Sequence, residues 1–237
     1  MPSEQQPSAS PLPAWKQTTD IADEIKPLMR GWSHGVATLA ALVVTLLLLG
    51  RTTHDRVRFT GLLVFGLSMM LLYGVSAAFH LGPWRGRTAR VLCAVDHANI
   101  FVLIAGTYTP IALIVFSGWL RLTVLITIWT LALAGMASAV FTLRLPRWFS
   151  TALYVVMGWL ALATLPWMAR LLPWPAIACM VLGGVLYTVG AVVFALKRPD
   201  PLPRIFGFHE IFHLFTIGGG AAFVVMIWVW IVPFVAG

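Results

Sequence analysis

Apolar residues run along this chain in long unbroken stretches, with neither strict alternation nor a three-to-four spacing against polar positions. Seven stretches stand out: 33–50, 59–80, 91–115, 122–142, 149–168, 175–196 and 208–233. Each is close to the roughly 20 residues a helix needs to cross the hydrocarbon core of a bilayer. Lipid offers the backbone no hydrogen-bond partners, so continuous apolar runs in it must be helices, whereas a β-barrel would alternate apolar and polar positions. The pattern predicts an all-α polytopic membrane protein, with a seven-helix transmembrane domain over residues 21–237. Residues 1–20 are rich in Ser, Pro, Gln and Ala and read as a disordered cytoplasmic tail. Residues 21–32 alternate apolar and charged residues and fit an interfacial approach to the first span. No apolar core near the start suggests a secretory signal peptide, and no internal repeat of the inverted-transporter kind is visible.

Composition agrees with lipid as the main solvent. The chain is 59% hydrophobic and 10% charged, where a soluble domain carries about a quarter charged residues. The net charge of +8 would raise nucleic acid as a partner in a soluble protein. Here the bases lie in short linkers, where they set topology and meet anionic headgroups, so membrane lipid is the expected partner and nucleic acid is not. Lys16, Lys26, Arg30, Arg85, Arg87, Arg90, Arg144, Arg147, Lys197, Arg198 and Arg204 fall on one side of the membrane, and Arg51, Arg56, Arg58, Arg121 and Arg170 on the other. That asymmetry puts the N-terminus in the cytoplasm and the C-terminus outside. The three arginines of the first outer linker run against it. Trp32, Trp84, Trp119, Trp148, Trp167 and Trp174 sit near span ends, as an interfacial aromatic belt requires. The two cysteines, Cys93 and Cys179, form neither a disulfide framework nor a metal knuckle and read as packing residues.

Only two of the eight acids, Asp96 and Glu210, fall inside apolar spans. Ionisable groups there are costly and mark function by default. Five of the six histidines, His34, His80, His97, His209 and His213, lie at span ends, and seven-span topology brings all five ends to one leaflet. His209 and His213 are four residues apart, so they share a helix face and can hold one ion. His80 can supply a third nitrogen, and three protein ligands with one open position is the arrangement of a catalytic zinc. Ser76 lies one turn from His80 on the same face, and Asp96 carries the nearest carboxylate. His34 and His97 read as interfacial hydrogen bonders. Residues 209–213, HEIFH, match the H-E-x-x-H of zinc proteases, but no downstream carboxylate ligand follows. Glu210 then reads as an acid in the first turn of a helix, favoured by the helix dipole. The ionisable groups stay near one face, which argues against a conduction path.

At these residues the chain resembles the hemolysin III family, which belongs with the seven-span progestin and adipoQ receptors, adiponectin receptors included. The likeness lies in SHGVATL (33–39), YGVSAAFH (73–80), VDHANIFVLIAGTYTP (95–110), YVVMGW (154–159), GGVLYTVGAVVF (183–194) and FGFHEIFHLF (206–215). It implies a zinc ion on His80, His209 and His213, Asp96 near the zinc-bound water, and Ser76 as a second polar contributor. The wider superfamily includes alkaline ceramidases, which hydrolyse a lipid amide. Ala77 and Ala78 stand where the family often has a hydroxyl or aromatic-rich stretch, and Ala222 and Phe223 where some members carry a further histidine. The resemblance implies a zinc-dependent hydrolase of lipid amides or esters at the cytoplasmic leaflet. The rival readings are a receptor, sensor or membrane-perturbing protein with a structural zinc, and an intramembrane protease using HEIFH. The short chain looks bacterial, which implies a multi-pass protein of the plasma membrane.

Overall fold

The computed structural model describes residues 27–141 and 147–235, the side chains of 141 and 147–150 excepted. The tail at 1–20, the first part of the interfacial stretch, Arg144 and the side chains of Arg147 and Trp148 lie outside the described residues. Helices occur where the apolar runs predict them: α1 Trp32–Gly50, α2 Arg56–Leu81, α3 Gly86–Val115, α4 Gly118–Phe141, α5 Arg147–Trp159, α6 Ala161–Leu171, α7 Trp174–Leu196 and α8 Phe208–Met226. A π-helical turn at Ile227–Ile231 continues α8. Among the described residues, seven stretches of helix are long and apolar enough to cross a membrane, α5 and α6 together supplying the fifth.

Helix ends overrun the apolar runs, and at α2 a polar side chain supports the extension. α2 begins three residues before its expected start because Asp55 caps it, accepting the Arg58 backbone N–H at 3.0 Å and the Arg58 Nε–H at 2.8 Å. Span five, read from the sequence as one helix, is two. At the joint, Leu160 N–H is shared between the carbonyls of Val156 and Met157, and Ala163 bonds back only three residues to Leu160. The Tyr108 hydroxyl of α3 reaches the carbonyls of Met157 and Gly158 at 3.1 and 2.9 Å. A side chain that takes helix carbonyls in this way is a recognised cause of a break in the ladder.

α2, α3 and α8 are the most enclosed helices, and α4 and the fifth span are the most exposed to lipid. α2 packs between α1 and α3, α3 between α2 and α4, and α8 along α7. Phe65, Leu62, Leu72, Tyr73, Leu103, Met226 and Ile227 fill the centre. Close approach of α7 and α8 depends on a small residue: a Cβ at Gly219 would stand 2.8 Å from the Tyr187 ring. Among the described residues, the outward faces of α1, α4 and α7 carry exposed Leu, Val, Ile and Trp side chains, which suits lipid and would not suit water.

Candidate metal centre and cavity

His80 is the penultimate residue of α2, and His209 and His213 lie in the first two turns of α8. Their ring nitrogens converge, with one ligand atom from each lying within 4.8 Å of the others. The His80 and His209 Nε2 atoms are 3.2 Å apart. Two nitrogens each about 2.05 Å from a tetrahedral ion would stand about 3.3 Å apart, so this pair already has the separation a shared metal requires. The rings meet edge to face: 79° between His80 and His209, and 76° between His209 and His213, each at 4.7 Å between centroids. That aims lone pairs inward, where stacked rings would not. His213 is 1% exposed, and its Nδ1 has no hydrogen-bond partner among the described residues. A buried imidazole nitrogen without a partner is costly, and a bound ion is one way for a histidine nitrogen to be satisfied. The donor set fits zinc.

Asp96 stands beside this nest, its Oδ2 3.9 Å from His80 Nε2. Ser76, 2% exposed, sits next to the Asp96 carboxylate. His97, the neighbour of Asp96, is turned to other work. Its Nδ1 is 2.7 Å from the Cys93 carbonyl oxygen, one turn back, and its own carbonyl accepts the Tyr154 hydroxyl at 3.1 Å. Cys93 packs against His97, with Sγ 3.8 Å from Nδ1. His97 lies outside the three-histidine group, though it lines the cavity described below.

His34 has a closer role than its position in the chain suggests. Its ring stacks on His213 with centroids 3.8 Å apart and planes 14° apart, and it is 2% exposed. Neither of its nitrogens meets a hydrogen-bond partner among the described residues. The sequence showed its shared depth with the other histidines but not the stack. Glu210, by contrast, is fully engaged away from the nest. Its Oε1 accepts the Arg30 Nε–H at 3.0 Å, and its Oε2 accepts the Gly207 backbone N–H at 2.7 Å. The second contact is the carboxylate half of a capping box.

From this polar end a cavity of about 130 Å³ runs into the bundle. His34, Ser76, Asp96, His97, His209 and His213 line its mouth, and Leu72, Ile104, Trp159, Tyr187 and Phe223 line its body. Phe223 lies ten residues beyond His213 on α8, about 15 Å along a helix at about 1.5 Å per residue. The cavity therefore extends from the histidines by roughly half the thickness of a hydrocarbon core of about 30 Å. A smaller cavity of about 40 Å³ continues beyond Tyr108, Trp159 and Gly184.

Comparison with known proteins agrees with this arrangement. A family model described as "Haemolysin-III related" matches residues 23–234. The chain belongs to the haemolysin III family. It is 35% identical over 211 residues to "Hemolysin-3 homolog" of Bacillus subtilis (strain 168), covering 86% of this chain and 94% of that one. Against "Hemolysin-3" of Bacillus cereus the identity is 32% over 220 residues, covering 92% and 96% of the two chains. A more distant match, 24% identical over 233 residues, is to "Adiponectin receptor protein" of Drosophila melanogaster, of which it spans 47% and which covers 81% of this chain. This haemolysin III protein is a multi-pass membrane protein, and its three-histidine nest joins α2 to α8 within the matched region.

Proposed function

We propose that this haemolysin III protein is a zinc-dependent hydrolase of membrane lipid amides or esters, working at the cytoplasmic leaflet of the plasma membrane. The observation that carries it is a converging histidine trio with a carboxylate beside it, at the mouth of a long apolar cavity. His80, His209 and His213 would hold the ion, which when bound supplies Lewis acidity at a carbonyl and acidifies a water. Asp96 lies at the nest yet is not spent on a strong ion pair, so its carboxylate can accept a proton at Oδ2 and return it to a leaving group. Ser76, beside Asp96, can orient that carboxylate or donate to a developing oxyanion. The apolar walls would take an acyl chain and exclude water. Gly158 is exposed and Gly184 partly so; both line the cavity, from α5 and α7, and have open space where a side chain would begin. A chain could pass between those helices from the lipid.

The orientation with the N-terminus inside gains support from the outer arginines. Arg51 donates to the Trp228 carbonyl at 3.2 Å and lies over the Trp228 ring, and Arg58 donates to the carbonyls of Val232 and Phe234. Two of the three bases that ran against the positive-inside rule thus serve the end of α8. Their position is explained by helix carbonyls rather than by topology.

The protease reading needs Glu210 at a metal-bound water, and both its oxygens are held elsewhere. The receptor or sensor reading shares the metal but gives Asp96 no task. Purified protein should contain one zinc and turn over ceramide or phospholipid substrates. Asp96→Asn should keep the zinc and lose at least about a hundredfold in turnover, the scale of general acid–base catalysis. Stoichiometric zinc with no Asp96-dependent turnover on any lipid would leave the sensor reading in its place.

A further inference from the structure

Glu210 lies between two expected ligands, next to His209 and one turn before His213, and is only 2% exposed. A carboxylate buried so deeply needs a partner, and Arg30 supplies it at 3.0 Å across 180 residues of sequence. Arg30 is itself held in place by its backbone neighbours. Leu28 and Met29 donate their N–H groups to the carbonyls of Arg204 and Ile205, at 3.1 and 3.2 Å, in the linker that leads into α8. Gly31 then turns the chain with a left-handed φ of 89°, so close to α2 that a Cβ there would stand 2.9 Å from His80 Cβ. One short segment therefore touches the end of α2 that carries His80 and, through Arg30, the start of α8 that carries His209 and His213.

The geometry points to Arg30 and Glu210 as a positioning pair that sets the spacing between His80 on α2 and the two histidines of α8, and so tunes metal affinity without touching the metal. This inference rests on the metal reading above. The reason is mechanical and electrostatic together. α2 and α8 are separated by most of the sequence, and no linker holds their ends in register. Glu210 fixes the first turn of α8 through Gly207, and Arg30 ties that turn to the strap that lies on His80. Partners one step removed from a metal commonly change its affinity about 10- to 100-fold when lost.

The test uses full-length protein in detergent, with zinc affinity measured by chelator competition and ligand geometry by the visible spectrum of the cobalt-loaded form. Glu210→Gln keeps an acceptor for the Gly207 N–H but drops the ion pair, and Arg30→Ala drops it from the other side. Each should weaken zinc binding about 10- to 100-fold and change the cobalt spectrum, which a merely stabilising salt bridge would not do. The double variant should lose no more than the worse single, because the two act as one unit. Arg30→Lys should restore most of the affinity, and Glu210→Gln carries the test of the lost pair if Arg30→Ala fails to assemble. Wild type without zinc overturns the metal reading and the pair together. Wild type with zinc but unchanged affinity in Glu210→Gln, or strictly additive losses in the double variant, overturns the pair alone.

Discussion

Imidazoles at 3.2 Å with their nitrogens facing need a proton or an ion between them, and with His80 and His213 buried and His209 partly so the cluster leaves little water to share. That makes each ligand testable singly. His80→Ala and His213→Ala should each weaken zinc binding by more than about a hundredfold, beyond what a residue outside the ligand set costs. Metal analysis of the purified variants checks this, and full retention in both would remove the centre. His34 behaves differently in this scheme. It stacks on His213 but donates nothing to the nest, so His34→Phe should preserve the stack and retain zinc within a fewfold of wild type. An equal loss in His34→Phe and His213→Ala would make His34 a ligand in its own right. These residues stood out in the sequence because ionisable groups in lipid are expensive and rarely placed without purpose. The partnership of Arg30 and Glu210 did not. Arg30 was one base among eleven on its side, and nothing local in the chain points to an acid 180 residues away.

At the scale of elements, the spans were legible because lipid leaves the backbone one solution, and an apolar run near 20 residues identifies it. Joints and ends were not, since side chains from other helices decide them. The break at Leu160 follows from where Tyr108 of α3 places its hydroxyl. The end of α8 is finished by Arg51 and Arg58, whose donors replace the next turn of helix. Arg58 also interacts with Asp55, the cap of α2, and so joins the start of one helix to the end of another. The Arg58 backbone N–H, and then its guanidinium, hold the Asp55 carboxyl below the usual carboxylate range. A carboxyl depressed in the folded state adds stability above its unfolded pKa and loses it as pH falls through the folded one. Asp55→Ala should therefore destabilise the protein by about 1 kcal/mol at neutral pH, the usual worth of such a cap. The difference from wild type should shrink below about pH 4, where an ordinary Asp is protonated. Thermal melts of both proteins in detergent at pH 7 and pH 3.5 read this directly. A constant difference across that range would assign the loss to packing instead.

The molecule as a whole places a polar mouth at one leaflet and an apolar bore behind it, and this division is what separates a lipid hydrolase from a metal-stabilised bundle. If the bore exists to receive an acyl chain, closing it must affect long-chain ligands and spare the metal. Gly184 is the position for this test. It lies on α7, lines both cavities, and a Cβ there meets nothing within 4 Å. Replacing a helical glycine with alanine gains roughly 0.5–1 kcal/mol of helix stability, so Gly184→Ala should fold at least as well as wild type. Gly184→Trp starts from the same open backbone position but fills the bore with an indole. It should retain stoichiometric zinc, since Gly184 lies ten residues from Phe194, the α7 side chain that packs against His209. Binding of a long-chain fatty acid, followed by native mass spectrometry or a fluorescent analogue, should fall at least about tenfold, or about 1.4 kcal/mol. Turnover of a short-chain amide or ester that needs only the mouth should be nearly unchanged. Equal losses for short and long chains would mean that the tryptophan has disturbed the mouth itself. Undiminished long-chain binding would mean that lipid, if it binds, approaches the histidines by a route other than this bore.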